Sequence, residues 1–119
     1  MFSVIFPGQG SQIVGMGKEF YDKHDLVKKL FTEADEALNI PLSKIILEGP
    51  KEELDLTVNT QPAIFLISYS IFQVIKNEFN KDLNKANFFA GHSLGEYSAI
   101  ACAKVVFPEP GRPQMKTPR

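Results

Sequence analysis

The chain has one cysteine, Cys102, two histidines, His24 and His92, and no excess of charge of either sign. Each scarcity removes a class of function. A single cysteine forms no internal disulfide, and in a reducing compartment a lone thiol serves as a small buried residue. With 13 basic against 14 acidic residues the formal net charge is −1. The sequence therefore lacks the electrostatic footprint that phosphate backbones or anionic lipid surfaces select for, and neither nucleic acid nor membrane is expected as a partner. Long hydrophobic runs are missing too. The greasiest stretch, Ala63 to Phe72, contains Ser68, Tyr69 and Ser70 and falls short of the ~20 residues that span a bilayer. No basic segment precedes the first apolar run, which stops at Pro7, so no secretory leader is expected and the predicted location is the cytoplasm. There is no internal repeat.

What remains is a chain of 119 residues, enough for one domain with a real core. Phe2-Ser3-Val4-Ile5-Phe6 is short, apolar and rich in branched and aromatic side chains, and it reads as a buried strand running into the loop that starts at Pro7-Gly8. A helical pattern begins around Lys18. From Asp25 the residues Leu26, Val27, Leu30, Phe31, Ala34, Ala37 and Leu38 recur at helical spacing with charges between them, predicting an amphipathic helix that ends near Asn39. Leu42 to Leu47 reads as a short helix, and a brief acidic one runs through Leu54. Pro62 suits a first helical turn, so a longer helix is expected over Ala63 to about Phe79, capped by Thr60 or Gln61. It is apolar on most sides and should be covered on more than one face. Asn80 to Asn87 reads as a polar connection, Phe88-Phe89-Ala90 as a second strand, and Leu94 to Lys104 as a helix lined with small residues. This grammar of strand, helices, strand and helix predicts an α/β domain with a parallel sheet. The last segment, 105–119, carries four of the eight prolines and no apolar period, which favours an extended or disordered tail.

Two loops invite chemistry. The first, Gly8-Gln9-Gly10-Ser11-Gln12, follows the first strand. Its glycines fit neither the dinucleotide fingerprint, since Ile13 stands where the third glycine belongs, nor a P-loop. A tight loop at the carboxyl end of a strand is left, the place where open α/β sheets put their ligands. An ordinary glycine turn with Gln9 solvated is the alternative.

The second loop is Gly91-His92-Ser93-Leu94-Gly95, between an apolar strand and a small-residue helix. In that setting Gly-x-Ser-x-Gly forms a sharp elbow: the serine is held above the sheet, and the next backbone N–H, here that of Leu94, can hold a developing oxyanion. Ser93 is thus a candidate nucleophile, with a role as N-cap of the following helix as the alternative. His92 is its immediate chain neighbour, and adjacent side chains at a tight turn diverge, so His92 is expected to line the pocket. His24 lies among Lys23, Asp25 and Lys28 and is expected on a solvated surface. A serine hydroxyl needs a base, and neither histidine is a convincing one. No metal or cofactor is called for.

Phe6-Pro7-Gly8-Gln9-Gly10-Ser11-Gln12, then Asn59-Thr60-Gln61-Pro62-Ala63, then Gly91-His92-Ser93-Leu94-Gly95-Glu96-Tyr97 closely resemble three successive signatures of the malonyl-CoA:acyl carrier protein transacylases. The resemblance runs from Phe2 to about Ala103, giving a catalytic-domain portion over 1–104 and a tail outside the family pattern over 105–119. It implies an α/β hydrolase-like acyltransferase fold with a short parallel sheet flanked by helices. It also implies transfer of malonyl from malonyl-CoA to the phosphopantetheine thiol of acyl carrier protein through a malonyl-serine at Ser93. By position, Gln9 resembles the residue whose backbone N–H joins that of Leu94 in the oxyanion hole, and Gln61 either lines the same pocket or caps its helix. The family's downstream base histidine, its carboxylate-binding arginine and its small ferredoxin-like subdomain have no counterparts here, and Arg112 and Arg119 match nothing. The chain is therefore expected to be a truncated enzyme, slow or inactive alone. A serine esterase or thioesterase, or a non-catalytic fragment, are the rival expectations.

Overall fold

The computed structural model describes residues 2–77, 86–91, 95–106 and 115–116. Along the chain run β1 (Phe2–Phe6), α1 (Lys18–Lys23), α2 (Asp25–Leu38), α3 (Leu42–Glu48), α4 (Lys51–Leu54), α5 (Thr57–Asn77), β2 (Ala86–Gly91), α6 (Gly95–Val106) and β3 (Met115–Lys116). Among the described residues the sheet has three strands in the order β1-β2-β3, both pairs parallel. Among the described residues five helices lie in the crossover from β1 to β2, the long connection that a parallel pair requires. The expected α/β architecture is the one observed.

The residues of β1 and β2 meet in the register Val4 with Phe89, Ile5 with Ala90 and Phe6 with Gly91. Side chains alternate across a strand, so Val4 and Phe6 face the core while Ile5, two-thirds or more exposed, faces away. Phe6, Phe89 and Phe72 of α5 form an aromatic triangle with ring centroids 5.7 to 6.4 Å apart. Ala99 and Cys102 of α6 close over it. A second core lies within the helical layer, where Val27 and Phe31 of α2, Leu42 and Ile46 of α3, and Leu54 pack on Ala63, Leu66 and Val74 of α5. Helix α5 therefore serves two cores at once. This explains why it is apolar on most sides; it is the one described helix long and apolar enough, by length and composition, to cross a membrane, and more than half of that stretch is buried within the fold.

The helix begins a turn and a half earlier than Pro62 suggested. Asn59 Nδ2 donates to the Glu53 carbonyl at 2.8 Å, and the buried Thr60 hydroxyl reaches the carbonyls of Leu54 and Leu56. These bonds satisfy carbonyls at the end of α4 and fold the chain straight into α5. Pro62 then lies inside the helix, where it removes the one backbone bond its N–H would have made. The expected extension to Phe79 and most of the polar connection at 80–87 lie outside the described residues. So do Arg112 and Arg119. In the tail, helix α6 continues to Val106, and Met115 and Lys116 pair with Phe89 and Ala90; where disorder was an expectation, these residues join the helix and the sheet.

Candidate active site

Because Phe6 and Gly91 are register partners in parallel strands, the loops that follow them leave the same edge of the sheet. Gly95 then fixes the return path. A Cβ built on Gly95 would lie 2.2 Å from the Phe6 carbonyl oxygen and 2.9 Å from that of Pro7. No side chain fits there, so the first turn of α6 rests directly on the end of β1. The described ends of the motif, Gly91 and Gly95, both lie against the end of β1. His92, Ser93 and Leu94, the expected pocket residue, nucleophile and oxyanion donor, lie outside the described residues.

The loop after β1 is more tightly built than a solvated turn. Gly10 takes φ 108°, a conformation that other residues rarely adopt. Its N–H donates to Gln12 Oε1 at 2.8 Å, and the Ser11 hydroxyl donates to the Gly8 carbonyl at 2.7 Å. Gln12 Nε2 donates in turn to Asp55 Oδ1 at 3.0 Å, and Gln9 Nε2 to Thr57 Oγ1 at 3.2 Å. Both glutamines thus reach the turn between α4 and α5. Hydrogen bonds from Lys51 and then from Gln12 hold the Asp55 carboxyl below its ordinary value. Among the described residues nothing accepts a bond from the Gln9 N–H.

Gln61 is the fifth residue of α5, so the capping alternative for it falls. It is exposed and borders an apolar cleft of about 440 Å³ with Phe65 and Leu66 of the same helix, Leu38 of α2 and Tyr97 of α6. Tyr97 stands two residues past Gly95, which places the cleft beside the first turn of α6.

Compared with known proteins, residues 3–111 match the acyl transferase domain. The chain belongs to that family. It is 50% identical over 99 residues to the malonyl CoA-acyl carrier protein transacylase of Bacillus subtilis strain 168, covering 83% of this chain and 30% of the relative. The crystal structure of an acyl-carrier-protein S-malonyltransferase from Bartonella henselae superposes with a TM-score of 0.80 at 44% identity over 87% of this chain and 33% of that one. A malonyl-transacylase solved in complex with a type II polyketide acyl-carrier protein gives 0.79 at 41% identity, over 86% and 32%. The chain thus spans about a third or less of the length of these relatives.

In this acyl transferase domain the remaining reactive side chains stand apart from the elbow loops. Cys102 is fully buried, and burial pushes its thiol up to about 12, so it packs as a protonated apolar group. His24 is half-buried instead of solvated, with its ring stacked on Phe20 at 5.9 Å where α1 meets α2. Among the described residues no three His, Cys, Asp or Glu side chains gather where a metal could be held. Sequence reasoning missed Gln12, Asp55, Thr57 and Tyr97. Gln12 and Tyr97 had a signal, their places in the first and third motifs; the glutamine contacts join residues 43 and 48 positions apart, which no local pattern encodes.

Proposed function

We propose that this chain carries the nucleophile and oxyanion half of an acyl-carrier-protein S-malonyltransferase, within residues 1–104. The observation that supports the reading is the close approach of Gly95 to the Phe6 and Pro7 carbonyls, which brings the end of the Gly-x-Ser-x-Gly motif to the sheet edge where the Gln9 loop begins. Ser93 attacks the thioester carbonyl of malonyl-CoA, the backbone N–H groups of Gln9 and Leu94 hold the oxyanion, and coenzyme A leaves as the thiol. The phosphopantetheine thiol of acyl carrier protein then takes the malonyl group by the same route. Each oxyanion donor is worth on the order of 3 kcal/mol of barrier. His92 and Gln61 border the substrate. The base that takes the Ser93 proton is a histidine expected from the remainder of such a domain, since His24 lies at the α1–α2 junction. The acyl-carrier-protein complex of the related transacylase supports that acceptor, and the buried thiol of Cys102 suits a reducing cytoplasm.

Intact-mass measurement after incubation with malonyl-CoA tests this on the chain carried within a full-length acyl transferase domain that supplies the base. One malonyl addition, lost in Ser93→Ala and discharged by acyl carrier protein, is the expected result. Addition at another residue, or discharge to water with the carrier protein left unmodified, would overturn it, the second in favour of a hydrolase.

A further inference from the structure

We infer that Gln12 and Asp55 are positioning residues for the reaction at Ser93: they clamp the loop after β1 in the shape that leaves the Gln9 amide to the oxyanion. The inference rests on the reading of Ser93 as nucleophile given above. With Gly8 and Gly10 on either side of Gln9, the loop has little stiffness of its own, and a donor displaced by about 1 Å loses much of its effect on a transition state. The Gln12 carboxamide supplies the missing constraint from outside the loop's glycines. Its Oε1 accepts from the Gly10 N–H and its Nε2 donates to Asp55 Oδ1. With the Gly10 N–H so occupied, the neighbouring Gln9 N–H stays available, with no acceptor among the described residues, as is also true of the N–H groups of Gly8 and Gln12. Asp55 is itself anchored by the Lys51 ammonium at the other carboxylate oxygen, so the clamp is built on the helical layer. The Gln9 side chain ties to Thr57, the first residue of α5. A carboxamide is suited to this place because one end offers both acceptor and donor. A glutamate at position 12 could accept from Gly10 but would set a like charge against Asp55.

The experiment compares Gln12→Ala, Gln12→Glu, Asp55→Ala and Asp55→Asn with the unsubstituted chain, each within a full-length acyl transferase domain that supplies the base, by amide hydrogen exchange at Gly10 and by the rate of malonyl addition to Ser93 at varied malonyl-CoA. Expected is an acceleration of Gly10 exchange by about tenfold in Gln12→Ala, Gln12→Glu and Asp55→Ala, the scale of losing one hydrogen bond, with the unfolding midpoint unchanged. Asp55→Asn, whose amide oxygen still accepts from Gln12, should return most of the protection. Maximal acylation rates should fall in the same order by about tenfold, with the half-saturating malonyl-CoA concentration unchanged, a split that a merely structural role would not produce. Unaltered Gly10 exchange in Gln12→Ala and Asp55→Ala would overturn the clamp. Wild-type acylation matched by equally fast variants would overturn its catalytic role and leave the transferase reading standing. An unsubstituted full-length domain that takes up no malonyl would sink the transferase reading, and Gly10 exchange would then decide the clamp alone.

Discussion

Replacing Gly95 by alanine reverses an ordinary expectation, and the sign of the result is diagnostic. In a helix, glycine to alanine is favourable by up to about 1 kcal/mol, because alanine loses less backbone entropy on folding. At Gly95 the new methyl carbon would stand 2.2 Å from the Phe6 carbonyl oxygen and 2.9 Å from the Phe6 carbon and the Pro7 oxygen. All three are backbone atoms, so no side chain can swing aside. Relief requires α6 to back away from β1 by about 1 Å, at an overpacking cost of about 3 kcal/mol. Ala99 and Cys102, which close over the Phe6, Phe72 and Phe89 cluster, would be lifted with it. The net expectation is a loss of about 2 kcal/mol, and at a urea m-value of roughly 1.5 kcal/mol/M the unfolding midpoint falls by about 1.3 M. Urea titration followed by far-ultraviolet circular dichroism measures it. A midpoint equal to or above that of the wild type would refute the close approach of helix and strand, and with it the geometry that joins the two loops.

Two further outcomes follow from burial. The Cys102 thiol titrates near 12 in the folded chain against 9.0 for an exposed thiol. Its folded value is raised, so its contribution is intact well below pH 9 and drains away as pH climbs through 9 towards 12, amounting to about 1.4 kcal/mol by pH 10; unfolding free energies of wild type and Cys102→Ala from urea titrations at pH 8 and pH 10 should converge by that amount, and parallel curves would count against it. Thr60→Val keeps the volume but strips the Leu54 and Leu56 carbonyls of the buried hydroxyl, and should lower stability by about 1 to 2 kcal/mol in the same titration; a neutral substitution would mean that α5 is not held at its start by this side chain.

Legibility in the sequence followed the range of the interaction. Helix α2 was readable because Val27, Leu30, Phe31 and Ala34 recur at helical spacing, and Asn39 ends it in the left-handed conformation with φ 55°. The start of α5 was misread. Pro62 carries a strong local preference for a first turn, but the side chains of Asn59 and Thr60 satisfy carbonyls back at α4 and extend the helix to Thr57. Asn59 and Thr60 were legible only as part of a motif, with no hint that they are buried.

At the candidate site the order of the three motifs was open to reading, as were the strand and helix on either side of Ser93, because these depend on residue type and spacing along the chain. The sequence by itself therefore determined the family resemblance, the α/β class and the residues to suspect. Only the tertiary structure decided what holds them. Gly95 is small for a reason 89 residues away, the Phe6 carbonyl, and Gln12 finds its acceptor 43 residues away in Asp55. Hydrogen bonds and steric limits act across a few ångströms of space, and which distant residues come that close is settled by how β1, β2 and α5 pack.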